Sequence, residues 1–354
     1  MNKRPKISVG VITYNQENTI RQTLDSILAQ KGDFDLELVI GEDCSTDATH
    51  AICEEYARQW NDGMSRADAL NEPLALNDGK RVVKLLPNTH NLGIMANFAR
   101  VMKACTGEYV GICAGDDYWC DEQKLQKQLD YFRAHPEVGV VSTSGYRLLV
   151  KSNTLVPNAI APIHPIEDGN VKRFYFSPDY KGGVYAMPLS MLIKSDLLQY
   201  VDFDEFIHRR FPVEDYPMQA ILAQHCKWGH INDLCVVYRV YKESATFISF
   251  DHPKYLQYHK GLANIRRYLN ELFPDDACFS EEWLLEYEFY KKFLLYLHQK
   301  NYRKAKSIIT DYSSLIANSP KLRQAKRFTK TWLHFMVARL YKEYVYRKDI
   351  KARI

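Results

Sequence analysis

Through the first part of the chain, short apolar runs alternate with stretches whose apolar residues recur every three or four positions. Lys6–Thr13 (Lys-Ile-Ser-Val-Gly-Val-Ile-Thr) is β-branched and apolar, which predicts a central strand. After the turn Tyr14–Asn18, residues Ile20, Leu24, Ile27 and Leu28 fall on one face of a helix predicted over Thr19–Gln30. Leu36–Ile40 predicts a second strand, closed by Gly41-Glu42-Asp43-Cys44-Ser45-Thr46-Asp47, where Asp47 can cap a helix over Ala48–Trp60. Asn61–Lys80 is rich in Asn, Asp, Gly and Pro and reads as a loop or insertion. Val82–Leu86 predicts the third strand, followed by the turn Pro87–Gly93 and a helix over Ile94–Cys105. Tyr109–Cys113 predicts a fourth, buried strand; a helix over Glu122–Ala134 and a strand over Val138–Ser142 follow.

Strand, turn and helix thus alternate repeatedly, which implies an α/β fold with a parallel sheet and right-handed crossovers. Polar residues gather where the strands end: Thr13 to Asn15, Glu42 and Asp43, Asn88 to Asn91, and Asp116 and Asp117. The crossover rule sets these four clusters along one edge, where open α/β sheets bind ligands. Taken alone, Asp116 and Asp117 could form a solvated turn, with Asp117 or Asp121 capping the next helix. The convergence of four clusters favours a ligand site. The glycine-rich fingerprints of dinucleotide sites and P-loops are absent. A bound diphosphate would then be neutralised by a divalent metal on carboxylate oxygen, for which Mg²⁺ or Mn²⁺ is the suited ion. The acidic pair Glu42 and Asp43 could accept hydrogen bonds from base N–H or ribose hydroxyl groups.

Composition adds bounds. The 354 residues suggest a main domain over 1–250 and a helical, basic C-terminal domain over 251–354. No apolar stretch approaches the roughly 20 residues that span a bilayer. Met1 to Lys6 leads straight into a strand, so no signal peptide is evident. The eight cysteines show no Cys-x-x-Cys pair and no zinc spacing, and they read as thiols of a reducing cytosol. Residues 1–250 hold 26 Lys/Arg against 32 Asp/Glu, whereas 251–354 hold 21 against 11, so the two parts are expected to meet different partners.

Farther along, Val140–Val150 continues as strand, and Lys151–Asp179 reads as a connection. Gly182-Gly183 with Val184–Lys194 suggests a strand or turn facing an acceptor, with a helix from Ser195. Glu214 and Asp215 precede a helix over Met218–His225. By position they are equally a helix N-terminus favoured by its dipole or an acid–base pair. Cys235–Tyr241 predicts a strand carrying Arg239, a residue that could pair with phosphate or form an ordinary salt bridge. Trp283–Leu297 and Tyr302–Leu315 read as an antiparallel helix pair. Arg323–Lys348 places Leu333, Met336, Val337, Leu340 and Tyr344 on one face, and residues 321–354 carry 11 Lys/Arg against 2 Asp/Glu. Such a basic amphipathic helix suits an anionic membrane surface, or packs its stripe on the helix pair. No motif for nucleic acid accompanies the charge.

Three segments carry a family resemblance: Val11–Asn15; Val39–Asp47; and Gly107–Tyr109 through Gly115-Asp116-Asp117-Tyr118-Trp119. With Asn91-Leu92-Gly93, Asn97 and Arg100, they resemble the family 2 glycosyltransferases, nucleotide-sugar-dependent enzymes of the GT-A fold. The resemblance covers residues 6 to about 145 well and reaches more thinly to about 245. It implies an inverting transfer of a sugar from a nucleotide diphosphate, UDP foremost, to a hydroxyl of a cell-surface glycan or lipid-linked saccharide. Thr13, Tyr14, Asn15 and Glu42 or Asp43 would line the base and ribose, with Asp43 the best candidate for the base N–H. Asn91, Gly93, Asn97 and Gly115 would complete the donor site. Asp116 would hold the metal with Asp117 beside it, Asp215 would be the base, and Glu214, Trp119 and Arg239 would lie on the acceptor or phosphate side. The implied location is cytoplasmic, peripheral on the inner face of the plasma membrane through 321–354. Two departures stand out: Ala114 occupies the place where many members have a further aspartate, and no histidine or Gln-x-x-Arg-Trp motif stands near Tyr238, Arg239 and Tyr241. These departures admit a second reading, a catalytically weak relative that binds nucleotide or glycan or recruits partners.

Overall fold

The computed structural model describes residues 4–61, 81–158, 171–176, 186–241, 250 and 252–328. The chain divides into two compact units, 1–175 with 180–240, and 176–179 with 241–354. The segment 62–80, Gly182-Gly183 and the basic stretch from 329 onward lie outside the described residues.

In the first unit, β1 (Lys6–Thr13), β2 (Asp35–Glu42), β3 (Arg81–Pro87) and β4 (Tyr109–Ala114) pair in parallel in the order β3-β2-β1-β4. The connecting helices are α1 (Ile20–Leu28), α2 (Thr49–Asn61) and α3 (Ile94–Ala104). Strands covered on both faces are apolar almost throughout, and Ile7, Val9 and Val11 of β1 have no exposure. They pack with Leu24 and Ile27 of α1 and Leu38 and Ile40 of β2 in one core.

The sheet is parallel through β1 to β4, as expected of a mostly parallel fold, and beyond β4 it is mixed. β5 (Tyr118–Trp119) is followed by α4 (Lys124–Ala134), β6 (Val138–Leu149) and β7 (Thr154–Asn158). Next come the turn α5 (Lys172–Phe176), β8 (Leu192–Lys194), α6 (Phe203–His208), α7 (Asp215–His225) and β9 (Lys227–Val240). β8 lies antiparallel between β4 and β6, β9 runs parallel to β6, and β5 pairs antiparallel with β9. The three residues of β8 join the two halves of the sheet. Ser195–Tyr200 is a 3₁₀ turn where a helix was expected.

Opposite the edge with the polar clusters, Glu37 is 4% exposed at the sheet's other end. Burial alone would raise its pKa. Hydrogen bonds from Ser8, Lys6 and Thr106 outweigh that and hold it at about 2.

The second unit contains α8 (Tyr255–Leu272), α9 (Glu281–His298), α10 (Tyr302–Tyr312) and α11 (Pro320–Phe328). The expected helix pair is α9 and α10. Ser280 caps the first through Trp283 N at 3.2 Å, and Asn301 caps the second through Lys304 N at 3.1 Å. Phe289, Phe293 and Leu297 of α9 pack with Ala305, Ile308 and Ile309 of α10 and Leu322 and Ala325 of α11. No helix among the described residues is long and apolar enough to cross a membrane.

Candidate functional site

The C-terminal ends of β1 and β2 lead into two loops that are fastened together. Asn15 N donates to Ser45 Oγ at 3.0 Å and Asn15 Oδ1 accepts from Thr46 N at 2.8 Å. Gln16 N reaches Thr49 Oγ1 at 2.7 Å, and Glu17 Oε2 accepts from Ala48 N at 2.9 Å. Asn15 has φ 52° and Cys44 φ 61°, left-handed backbone that asparagine tolerates better than most residues.

Asp43 is 3% exposed, and its carboxylate fastens a third loop. It accepts from Asn88 Nδ2 at 2.7 Å, Leu92 N at 2.8 Å and Gly93 N at 2.9 Å, while Asn91 Nδ2 meets its carbonyl at 3.2 Å. Glu42 is equally buried, accepts from Ser45 N at 2.7 Å and pairs with His50 Nδ1 at 2.8 Å. Asn97, 2% exposed, ties α3 to β2 through Gly41 O at 2.8 Å. By contrast Tyr14 is 44% exposed, and Asn91 also faces solvent.

The end of β4 crosses close over the end of β1. A Cβ on Gly115 would stand 2.7 Å from Thr13 Oγ1, a distance that side chains do not adopt, so only glycine fits. Thr13 is buried and donates to Gln16 Oε1 at 2.8 Å. From α1, Thr19 and Thr23 donate to Gly115 O at 2.9 and 3.0 Å, and Thr23 also meets Asp117 O at 2.6 Å.

The adjacent aspartates differ. Asp117 is 2% exposed and turns inward, where its Oδ1 accepts from Arg239 N at 2.8 Å. Burial and the neighbouring Asp116 charge push its pKa well up. Asp116 is half-buried. Burial raises its pKa too, opposed by its own backbone N–H, the Arg239 charge and a hydrogen bond from Gln16.

Arg239 is 7% exposed. Its guanidinium donates to Asp116 O and to Gln22 Oε1, and lies over the Tyr118 ring at 4.8 Å. Trp119, expected on the acceptor or phosphate side, is instead a core residue. Pairing of β5 with β9 turns it inward to 4% exposure, its Nε1 donates to Leu189 O at 3.0 Å, and Lys124 Nζ sits 4.0 Å from its ring centre.

Glu214 and Asp215 form the N-terminus of α7, three residues earlier than the predicted start at Met218. Both are half-buried. Burial and the charge of Asp215 push Glu214 up to about 8, and burial raises Asp215, whose Oδ1 accepts from Tyr216 N at 2.7 Å. The helix is anchored by Gln219, which accepts from Tyr175 Oη at 3.0 Å and donates to Ala186 O at 3.1 Å.

The structure therefore brings the polar strand ends of β1 to β4 to one edge and separates them by task. Asn15, Glu42, Asp43 and Asp117 fasten the loops and Asn97 ties α3 to β2; Tyr14 and Asn91 are exposed, and Asp116 is half-buried. Gln16, Thr19, Gln22 and Thr23 escaped the sequence reading. The one available signal was the spacing of Thr19 and Thr23, which sets two hydroxyls on the same face of α1.

Among the described residues no group of three or more His, Cys, Asp or Glu could hold a metal ion. A cage built wholly of protein ligands does not fit. A hard divalent cation on the Asp116 carboxylate, completed by diphosphate oxygens and water, does fit the donor set, because Mg²⁺ commonly uses one or two carboxylates with substrate phosphates.

Residues 8–152 match the family model Glycosyl transferase family 2. An uncharacterised protein of Mycobacterium tuberculosis, Rv1520, is 42% identical over 134 residues, which are 38% of this chain and 33% of that protein. The chain thus aligns with about a third of the length of that relative. Among solved structures, residues 1–349 of TarS from S. aureus in complex with UDP-GlcNAc superpose with TM-score 0.57 at 16% identity, covering 97% of this chain and 92% of that one. The mannosyltransferase PcManGT from Pyrobaculum calidifontis, in complex with GDP-Man and Mn²⁺, gives TM-score 0.50 at 16% identity, covering 96% and 88%. The architecture is the GT-A type: a mixed sheet flanked by helices, with a helical C-terminal region.

Proposed function

We propose that this chain is an inverting glycosyltransferase that uses a nucleotide-diphosphate sugar, with UDP the first candidate base. The observation that carries the reading is the arrangement at the end of β4. Asp116 is half-buried on a turn whose carbonyls are tied to neighbouring side chains, beside the fastened loops at the ends of β1 and β2. Glycosyl transfer needs charge stabilisation at a leaving diphosphate and a base near the acceptor hydroxyl. In this reading Asp116 holds a divalent metal, Mn²⁺ or Mg²⁺, which supplies positive charge to the leaving diphosphate. Tyr14 offers its exposed ring to the base. Asp43 acts by shaping loop 88–93, and the exposed Asn91 and the Gly93 backbone belong to the same wall.

Asp215 takes the acceptor proton, and burial beside the Asp215 charge raises the proton affinity of Glu214 next to it. A base at a helix N-terminus has its anionic form favoured by the dipole while burial disfavours it, which brings its affinity for a proton toward the working range. The acceptor is a hydroxyl of a cell-envelope glycan or lipid-linked saccharide. Residues 321–354, with 11 Lys/Arg against 2 Asp/Glu, would hold the enzyme to an anionic membrane surface on the cytoplasmic side. All eight cysteines are free thiols, as suits that compartment. TarS is named as a poly(ribitol-phosphate) β-N-acetylglucosaminyltransferase, which makes UDP-GlcNAc a sensible first donor to test.

The test is a thermal-shift screen of nucleotide sugars with and without Mn²⁺. A donor at 100 times its Kd should add about 2.7 kcal/mol of stability. If no nucleotide diphosphate shifts the melting temperature in the presence of Mn²⁺, the donor-site reading is wrong.

A further inference from the structure

The turn that carries Asp116 is held with unusual completeness. Its three successive carbonyls each accept from a side chain: Gly115 O from Thr19 at the head of α1, Asp116 O from Arg239, and Asp117 O from Thr23. Two of these anchors come from α1, immediately beneath. The third comes from the far end of β9, more than a hundred residues later in the chain. The register explains how it arrives. Tyr118 pairs with Val237 and Trp119 with Val236, and the same antiparallel register carried two residues on sets Arg239 opposite Asp116.

Arg239 holds this turn at three points. Its backbone N–H fixes the Asp117 carboxylate at 2.8 Å, its guanidinium takes the Asp116 carbonyl, and the same group reaches Gln22 on α1 while lying over Tyr118. The residue is 7% exposed, so its charged group is largely turned into the protein. Asp117 is fixed inward, and Asp116 is the more exposed carboxylate of the pair.

Resting on the donor-site reading above, we propose that Arg239 is a positioning residue for Asp116. It fixes the peptide that carries Asp116, so that the carboxylate is presented to the metal-bound diphosphate, and it does not contact phosphate itself. The planar fork of arginine spans the carbonyl and the Gln22 amide at once. A lysine ammonium, with one point of charge, cannot hold both in the same geometry.

The two roles separate by metal. A residue that aims a metal ligand matters only when metal is present, whereas a phosphate contact matters in either case. UDP is the probe, its affinity measured by calorimetry on the full chain in Mn²⁺ and again in EDTA, with Mn²⁺ occupancy followed by electron paramagnetic resonance. Arg239→Met and Arg239→Lys should each weaken UDP binding in Mn²⁺ by roughly 10-fold or more, the scale typical of groups that orient a metal ligand, and by less than about twofold in EDTA. Gln22→Leu, at an exposed helix position that threatens folding little, should show the same metal-dependent pattern at roughly threefold, since it removes one hydrogen bond of the set. Equal losses in Mn²⁺ and EDTA would identify a direct phosphate contact and overturn the proposal. So would unchanged Mn²⁺-dependent affinity in both Arg239→Lys and Gln22→Leu. Failure of the wild type to bind UDP in Mn²⁺ would be a different result, removing the donor-site reading and this proposal with it.

Discussion

Two of the chain's pairs of adjacent acidic residues, Asp116-Asp117 and Glu214-Asp215, are built in opposite ways. The first pair follows a buried strand and is divided by its surroundings. Asp117 is drawn inside to the Arg239 backbone, and Asp116 stays half-buried. The second pair opens a helix, with both members half-buried. Burial raises the proton affinity of all four. The difference lies in what answers the burial. Arg239 opposes the rise in the first pair with a fixed positive charge, while in the second the charge of Asp215 adds to burial in raising Glu214. A pair that needs a cation is suited to recruit a metal, and a pair that stores a proton is suited to exchange one.

The strongest break between them is expected in activity. Asp116→Asn and Asp215→Asn should each lower turnover by roughly 10²- to 10⁴-fold, the range of an acid–base or charge-stabilising group. Only Asp116→Asn should also abolish the Mn²⁺ dependence of nucleotide binding. Steady-state kinetics with calorimetry would show this, and a nucleotide-binding defect in Asp215→Asn would collapse the distinction.

Next in size is stability. Asp117→Ala leaves the buried Arg239 N–H without its acceptor and should cost about 1–3 kcal/mol, measurable by urea unfolding. Asp116→Ala, at a half-exposed position, should cost less; the reverse order would mean that the two aspartates have been given each other's tasks.

A finer test uses pH. Glu214 rises from its ordinary 4.5 to about 8 in the folded state, so the folded chain binds a proton that the unfolded chain releases. Its contribution to stability is therefore lost as pH climbs through that interval, and Glu214→Gln should flatten the decline in a pH series of melting temperatures. Glu37 has the opposite sign. Held at about 2, it stabilises above 4.5 and loses that contribution as pH falls toward 2, so Glu37→Gln should shrink the acid-side loss and leave the alkaline side unchanged.

Much of the first pair was legible in the sequence and little of its division was. The apolar run Tyr109–Cys113 and the abrupt Gly115-Asp116-Asp117 announce a strand end, because burial on both faces demands continuous hydrophobicity. The direction of each aspartate depends on Arg239, whose position follows from a two-residue strand, Tyr118–Trp119, too short to leave a periodic signal. The same cause hid Trp119, which alternation alone could assign to either face. β8 was legible only as a strand or turn over Val184–Lys194 because it has three residues, and the early part of β9 was missed because His230, Asn232 and Asp233 interrupt the apolar pattern where the β6–β9 register shifts. Asp43 shows another limit. Its position at a strand end suggested ligand contact, but only the folded loop reveals that Asn88, Leu92 and Gly93 already hold its carboxylate.

The fastening of loop 14–18 to loop 43–49 has a consequence in time. Residues that would otherwise have to find their places after a ligand arrives are already joined by Asn15, Gln16 and Glu17 to Ser45, Thr46, Ala48 and Thr49. If the donor nucleotide binds at this wall as proposed, its association resembles entry into a standing cleft, with its speed set by collision and orientation, and differences in affinity between nucleotides are carried by how long each one stays.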